Sequence, residues 1–330
     1  MSDRILLEPL DVDDPEVVAA AFTVARDCEL AVLGESDETL DSVRSTLTGP
    51  LAWRAEHRLA RRGDEIVGVL LAELDEDGRE VFVDAYAVGE DTAAVDHALM
   101  AHGLAAGIEY GRTHPTGQPV PADPYTLSTD LWQVVAGCPV ADVEHAGVLA
   151  GLGFRTIRRF WRMRWDLGGV TTNVPTPPAG VTRRRVDGDA DRRAMHRAFT
   201  ESFAHHFGST HDYEFEPWLE QIVALPGTDP DQWYLATLDD EVVALCLCDD
   251  SRASTGDGYV RTLGVVDSAR GRGIGRWLLQ CAAADAVARG RTGLALSVDG
   301  QNTTGATALY ESVGFVTTSE IDVWCYPVLD

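Results

Sequence analysis

The chain contains no lysine. Its 27 basic residues are all arginine, set against 53 acids, for a formal net charge of −26 over 330 residues. Nucleic acid binds where clustered cations displace its counterions, so a chain this acidic is excluded from general nucleic-acid binding. The same excess of acid suits a cationic substrate, or simply a solubilising surface. Long apolar runs are lacking too. No stretch of 18 apolar residues occurs, so no membrane helix is expected. The opening Met1-Ser2-Asp3-Arg4-Ile5 has no basic segment followed by an apolar one, so no secretory signal is expected and the location is read as cytoplasmic. Cysteine is sparse, with six at 28, 138, 246, 248, 281 and 325. None forms a CxxC and none stands at metal-ligand spacing from a histidine, so the expectation is reduced thiols and no metal.

Against these absences, one stretch is rich in both glycine and arginine. It runs Arg270-Gly271-Arg272-Gly273-Ile274-Gly275-Arg276. A strand-like run over 259–266 leads in, and a helix-like run over 274–289 leads out. Amides at a helix N-terminus lack intrahelical partners and favour an anion. Glycine lets a ligand approach the backbone and reaches left-handed conformations. Strand, loop and helix together suggest a pyrophosphate cradle.

The chain reads as an α/β protein with a break in the middle. Strands are expected near 5–10, 57–61, 65–74, 80–88, 125–132 and 154–167, with helices over about 15–28, 93–110 and 142–152. The Gly-, Thr- and Pro-rich stretch 168–180 has the composition of a linker. The order then repeats: strand 181–185, helix 189–203, a His-rich and aromatic segment, a hairpin over 233–248 about Asp239-Asp240, the cradle, strand 294–298, helix 303–313, and final strands over 315–328. The expected layout is therefore 1–167, linker 168–180, and 181–330. Leu152-Gly153-Phe154 matches Val313-Gly314-Phe315, and Gly111 lines up with Gly290. On that alignment the loop before the first half's helix is about two residues shorter, and it carries Glu90 and Asp91 in place of glycine and arginine. These acids would repel a pyrophosphate, so the cradle is expected to survive only in the second half.

These residues resemble the GCN5-related N-acetyltransferases (GNAT). The family's signature, Arg/Gln-x-x-Gly-x-Gly/Ala entered from a strand and opening a helix, stands at Arg270 to Gly275. A companion helix ending in Gly-Phe stands at Ala306-Thr307-Ala308-Leu309-Tyr310 through Gly314-Phe315, with Asn302 four residues ahead of Ala306. The match covers about 181–330, and the duplicated layout looks like tandem acetyltransferases of the mycothiol synthase type. The fold implied is two tandem GNAT-like domains, each a mixed, mostly antiparallel sheet flanked by helices.

The resemblance implies acetyl-CoA as co-substrate, with its pyrophosphate on Arg270, Gly271, Arg272, Gly273, Ile274, Gly275 and Arg276 and with Asn302 assisting. Its pantetheine would run along Leu263, Gly264 and Val265, where a β-bulge at Gly264 would open the strand edge. The Leu263 amide is a candidate oxyanion donor. Tyr310 would protonate the departing thiolate, although an aromatic at that position can equally be core. The corresponding residue in the first half, Leu149, has no proton to give. Glu201 is the candidate base, or else an ordinary solvated acid. His206, Tyr259 and Arg261 are candidate acceptor-binding residues, or else surface and packing residues. Phe215 and Trp218, with Tyr213, could form an aromatic wall or core. The partner is a small-molecule amine, with no nucleic acid or membrane, on a monomer or homodimer. The acceptor could be a cysteinyl-aminosugar as in mycothiol synthesis. Two other readings stay open: a different acyl or aminoacyl transfer, and a non-catalytic CoA-binding module.

Overall fold

The computed structural model describes residues 4–36, 38–118, 120–121, 123–125, 130–204, 214–302 and 305–329. Its contacts divide into two compact units. Unit 1 is Met1–Phe160 with Ser319–Asp330, and unit 2 is Trp161–Thr318. Among the described residues no helix is long and apolar enough to cross a membrane.

Unit 1 begins with β1 (Ile5–Pro9), α1 (Pro15–Leu33), α2 (Leu40–Thr48), β2 (Arg58–Arg62), β3 (Glu65–Asp75) and β4 (Glu80–Ala87). Local chemistry sets these ends. Asp14 caps α1 by accepting from the Glu16 amide, Pro15 starts the helix with a preset φ, and Gly34 ends it at φ 76°. Thr39 and Ser42 exchange hydrogen bonds as a capping box for α2, a nine-residue helix the sequence reading did not anticipate. Then come α3 (Thr92–Thr113), β5 (Gln133–Pro139), α4 (Val143–Gly151) and β6 (Arg155–Asp166). The strand expected at 125–132 lies later, at β5. Val134 and Val135 fall within it, while the Trp132 indole donates to the His114 carbonyl. Residues 126–129 lie outside the described ones.

Unit 2 contains β7 (Val181–Arg185), α5 (Gly188–Phe203), α6 (Phe215–Ala224), β8 (Thr228–Leu238), β9 (Glu241–Asp249), β10 (Asp257–Val265), α7 (Ile274–Ala288), β11 (Gly293–Asp299) and α8 (Ala306–Val313). The β8–β9 turn places Asp239 and Asp240 at φ 53° and 65°, the doubly left-handed geometry of tight hairpins. The final strand, β12 (Phe315–Pro327), has residues in both units, as does β6.

The two units repeat one pairing scheme. In unit 1, β1-β2-β3-β4 pair antiparallel in sequence, and β4 runs parallel to β5. In unit 2, β7-β8-β9-β10 do the same, and β10 runs parallel to β11. Each sheet is mixed, mostly antiparallel and flanked by helices. In unit 1, β5 pairs antiparallel with Ile321–Pro327 of β12. That pairing differs from the expected 181–330 boundary: Val328 lies in the unit 1 core with Trp324 and Tyr326 packed against it, so residues 319–330 belong with the first unit. The 168–180 stretch also does not stand apart. Val170 packs on the unit 2 core, and the Pro175 carbonyl accepts from the Trp277 indole.

Under the unit 2 sheet, α7 buries Ile274, Trp277, Leu278, Leu279 and Cys281, along with Ala282, Ala283, Ala284 and Ala286. Each large side chain contributes roughly 1.5–3 kcal/mol by burial, so the helix start, and the loop before it, are held in place.

Candidate active site

In both units the parallel strand pair holds for only three residues. In unit 2 it ends at Tyr259 opposite Ala295. Beyond that point β10 continues through Leu263, Gly264 and Val265 paired to β9 on its other side and no longer to β11. The bulge falls at Arg261, between Val260 and Thr262, and not at Gly264 as expected. Arg261 is the extra residue. Its guanidinium donates to Asp249 Oδ2 (2.7 Å) and Ser251 Oγ (3.3 Å), and it lies over the Tyr259 ring. Asp249 is buried, so this pair braces the bulge. The guanidinium groups of Arg261 and Arg252 both lie over the Tyr259 ring, at 4.7 and 5.1 Å.

Gly264 has a different job from the one expected. Its φ is ordinary; what it supplies is space. An added Cβ would sit 2.7 Å from Leu245 Cδ2 and 2.9 Å from both Cβ and Oγ of Ser202. Glycine here lets the last turn of α5 pack directly on the strand.

The loop 266–273 joins β10 to α7. Gly271 and Gly273 are left-handed, at φ 76° and 79°, and a Cβ at either would meet nothing within 4 Å. Conformation, not crowding, requires glycine there. Gly273 is the N-cap of α7, and no side chain caps that end, so the first amides, from Ile274, Gly275 and Arg276, point outward unclaimed by a cap. Gly275 lets α8 approach, since a Cβ would lie 3.2 Å from Leu309 Cδ2. This geometry suits a pyrophosphate.

The three arginines divide. Arg270 donates to the carbonyls of Val265 and Ser202, each at 3.1 Å, and pairs with Asp267 at 2.7 Å. Arg276 donates to the carbonyl (3.1 Å) and hydroxyl (2.7 Å) of Ser312, at the end of α8. Both shape the loop. Arg272 is exposed and makes no hydrogen bond or ion pair among the described residues, which leaves it ready for an anionic group.

Tyr310 is the one buried residue of α8, and its ring packs edge-on to Phe315 at 5.8 Å. Burial pushes its hydroxyl up to about 12, with smaller contributions from Cys246 and Tyr259. It therefore holds its proton through neutral pH, as an acid must. Asn302 lies between β11 and α8, its amide donating to the Asp299 carbonyl. Glu201 is exposed on the last turn of α5. His206 and Tyr213 lie outside the described residues. Trp218 is buried in the core, and Phe215 packs on His196 with Arg193 over its ring, so these two serve packing.

Sequence reading missed Ser202. Its hydroxyl is buried beside Gly264 and has no hydrogen-bond partner among the described residues. A signal was available: Met195, Ala198 and Ser202 fall at i, i+3 and i+7, so Ser202 is a polar residue on the buried stripe of α5.

The matching place in unit 1 is built otherwise. The β4–β5 pair ends at Phe82 opposite Val135. Two residues on, the Asp84 carboxylate accepts from the Gly137 amide of β5 at 3.3 Å, across the opening. Burial raises the Asp84 pKa, against the lowering effect of that amide. α3 starts early: four residues (88–91) separate it from β4, against eight (266–273) between β10 and α7. The loop is thus shorter by four, not two, because the first turn of α3 takes up cradle positions. Its N-cap, Asp91, is left-handed, and the Thr92 hydroxyl donates to Glu144. Leu149 is fully buried at the Tyr310 position, and nearby Asp96 and His145 tie α3 to α4 at 2.7 Å.

Residues 192–315 match the model of the acetyltransferase (GNAT) family, so unit 2 carries a GNAT acetyltransferase domain. In sequence the chain is related to mycothiol acetyltransferases. It is 29% identical to that of Streptomyces scabiei over 92% of this chain and 91% of the relative, and 31% identical to that of Streptomyces griseus over 52% of this chain. In the griseus alignment, and in one with the Thermobispora bispora protein, the chain spans 54% and 58% of the relative's length, little more than half. In fold it matches a GCN5-related N-acetyltransferase from Sphaerobacter thermophilus, with TM-score 0.80 and 23% identity over 100% of this chain and 98% of the other. It also matches a tandem GNAT protein from the clavulanic acid biosynthesis pathway, with TM-score 0.72 and 17% identity over 99% of each chain. The fold is that of tandem GNAT proteins.

Proposed function

We propose that unit 2 transfers an acetyl group from acetyl-CoA to the primary amine of a small molecule, by direct attack with both substrates bound. The observation that carries this reading is the conjunction of an uncapped, glycine-turned helix start with a strand edge that parts from its neighbour and a buried, protonated Tyr310.

The pyrophosphate is held on the amides of 271–276 with Arg272. Pantetheine lies along Leu263-Gly264-Val265, and the Leu263 amide polarises the thioester carbonyl. The amine nitrogen bonds to the carbonyl carbon, and the carbon–sulfur bond breaks. The thiolate takes its proton from the Tyr310 hydroxyl. Glu201, directly or through water, takes the proton lost from the amine. Tyr259 and the bulge at Arg261 border the acceptor side, and His206 is assigned there as well. Unit 1 takes no acetyl-CoA and has a structural or substrate-shaping role. Unit 1 is the degenerate partner and unit 2 the catalytic one, and the protein acts in the cytoplasm as a monomer or homodimer. The sequence relation to mycothiol acetyltransferases favours a cysteinyl-aminosugar as the first acceptor to try.

Thiol release from acetyl-CoA is measured across a panel of amines that includes that sugar. Release with one amine class, and calorimetric binding of one acetyl-CoA per chain, are expected. No release with any amine would remove the enzymatic reading, and two acetyl-CoA per chain would remove the single-site reading.

A further inference from the structure

Ser202 sits where the chemistry proposed for unit 2 takes place. Its main-chain carbonyl accepts from Arg270 of the cradle, and its Oγ faces Gly264 at a distance a single Cβ on that residue would close. A hydroxyl buried without a partner costs stability. Serine on the buried stripe of α5 thus runs against the packing, where alanine would serve as well as it does at Ala198. Groups kept at such a cost cluster where they meet a ligand.

The surroundings narrow what that ligand is. The hydroxyl faces Gly264, and a Cβ built on that glycine would also meet Leu245 Cδ2, so an oxygen arriving along β10 meets an apolar side chain and an O–H with no partner among the described residues. Arg270, which donates to the Ser202 carbonyl, is also engaged with Val265 and Asp267. The free group is a neutral donor, suited to a carbonyl oxygen that gains negative charge, and not to a phosphate. On the reading of unit 2 given above, on which this inference rests, that oxygen is the thioester carbonyl's.

We propose that Ser202 is a catalytic residue whose Oγ–H donates to the acetyl carbonyl oxygen, as a second donor beside a β10 amide. The bond strengthens as the amine adds and charge builds on that oxygen. Gly264 keeps the approach open. No proton is transferred, and the hydroxyl reverts to its unpartnered state when product leaves.

Ser202→Ala is the test, read on the full chain by three measurements. Turnover is expected to fall about tenfold to a hundredfold with little change in KM for acetyl-CoA. The thermal midpoint is expected to hold or rise, because an unpaired buried hydroxyl is removed; a purely structural serine would move it down. By calorimetry, the wild type is expected to prefer acetyl-CoA over CoA, and the variant to lose several-fold of that preference at unchanged CoA affinity. Ser202→Thr, which restores the hydroxyl, is expected to recover part of the turnover. Turnover within twofold of wild type in Ser202→Ala overturns the assignment and leaves the acetyltransferase reading intact. A wild-type chain that binds no acetyl-CoA overturns both.

Discussion

In unit 2 the strands β10 and β11 part after Tyr259; in unit 1, β4 and β5 part after Phe82. Up to that point the sheets are copies. Beyond it one opening meets glycine, arginine and an uncapped helix start, and the other is crossed by Asp84 and bordered by Glu90, Asp91 and Glu144. The pairing scheme that creates an opening is therefore separable from the residues that make it a site. A few side chains at the strand ends separate an opening beside an uncapped helix start from one crossed by a carboxylate, while the pairing scheme is kept.

The largest expected effect comes from the helix that carries Tyr310 in unit 2 and Leu149 in unit 1. Tyr310→Phe should lower kcat by about 10²–10⁴. Steady-state kinetics with a saturating amine checks this, and unchanged turnover would end the acid assignment. With the hydroxyl held near 12, activity should also show no alkaline fall through pH 10, the ordinary tyrosine range. The reciprocal change, Leu149→Tyr, should bring no new activity, because unit 1 lacks the cradle.

Next comes the loop. Gly273→Asp brings in a residue type that tolerates the left-handed position and sets a carboxylate among the amides. Acetyl-CoA affinity should fall tenfold or more by calorimetry. Asp91→Gly in unit 1 should leave it unchanged, and an altered affinity there would contradict the comparison.

Smaller still is the joint that replaces the site. Asp96→Ala strands His145 and should cost about 1–3 kcal/mol of stability in denaturant melts, at unchanged kcat. A fall in kcat without loss of stability would give unit 1 a catalytic part.

The smallest effect is a slope. Burial, with Asp84 nearby, raises the Glu73 pKa to about 7. The folded chain then holds a proton that the unfolded chain releases near pH 4.5, so this residue's contribution weakens as pH rises from about 4.5 to about 7. Glu73→Gln should gain thermal midpoint over wild type across that window. A constant difference would place Glu73 in a more solvated setting.

Much of this was legible in the sequence because it is local. Glycine positions, the β8–β9 turn and the helix ending at Gly314 follow from backbone preferences within a few residues, and the repeat follows from Gly-Phe and Gly111/Gly290. What stayed hidden was non-local or short. α2 and α6 span nine and ten residues, too few turns for a clear period. The bulge at Arg261 depends on buried Asp249 across the strand pair, which no spacing reports. Ser202 is ordinary until Gly264 is known to face it.

The pairing of β12 with β5 has a consequence in time. Ile321 leaves the ribosome 182 residues after its partner Pro139 (321 − 139). At about 5–20 residues per second that is roughly 10–40 seconds of synthesis. Through that interval the newborn first unit carries a bare β5 edge, a template for any stray strand. Its maturation is set by translation of the far half and not by its own sequence. Ribosome-arrested chains ending before 319 should be cut within the first unit by added protease, whereas chains extended well beyond 329 should resist.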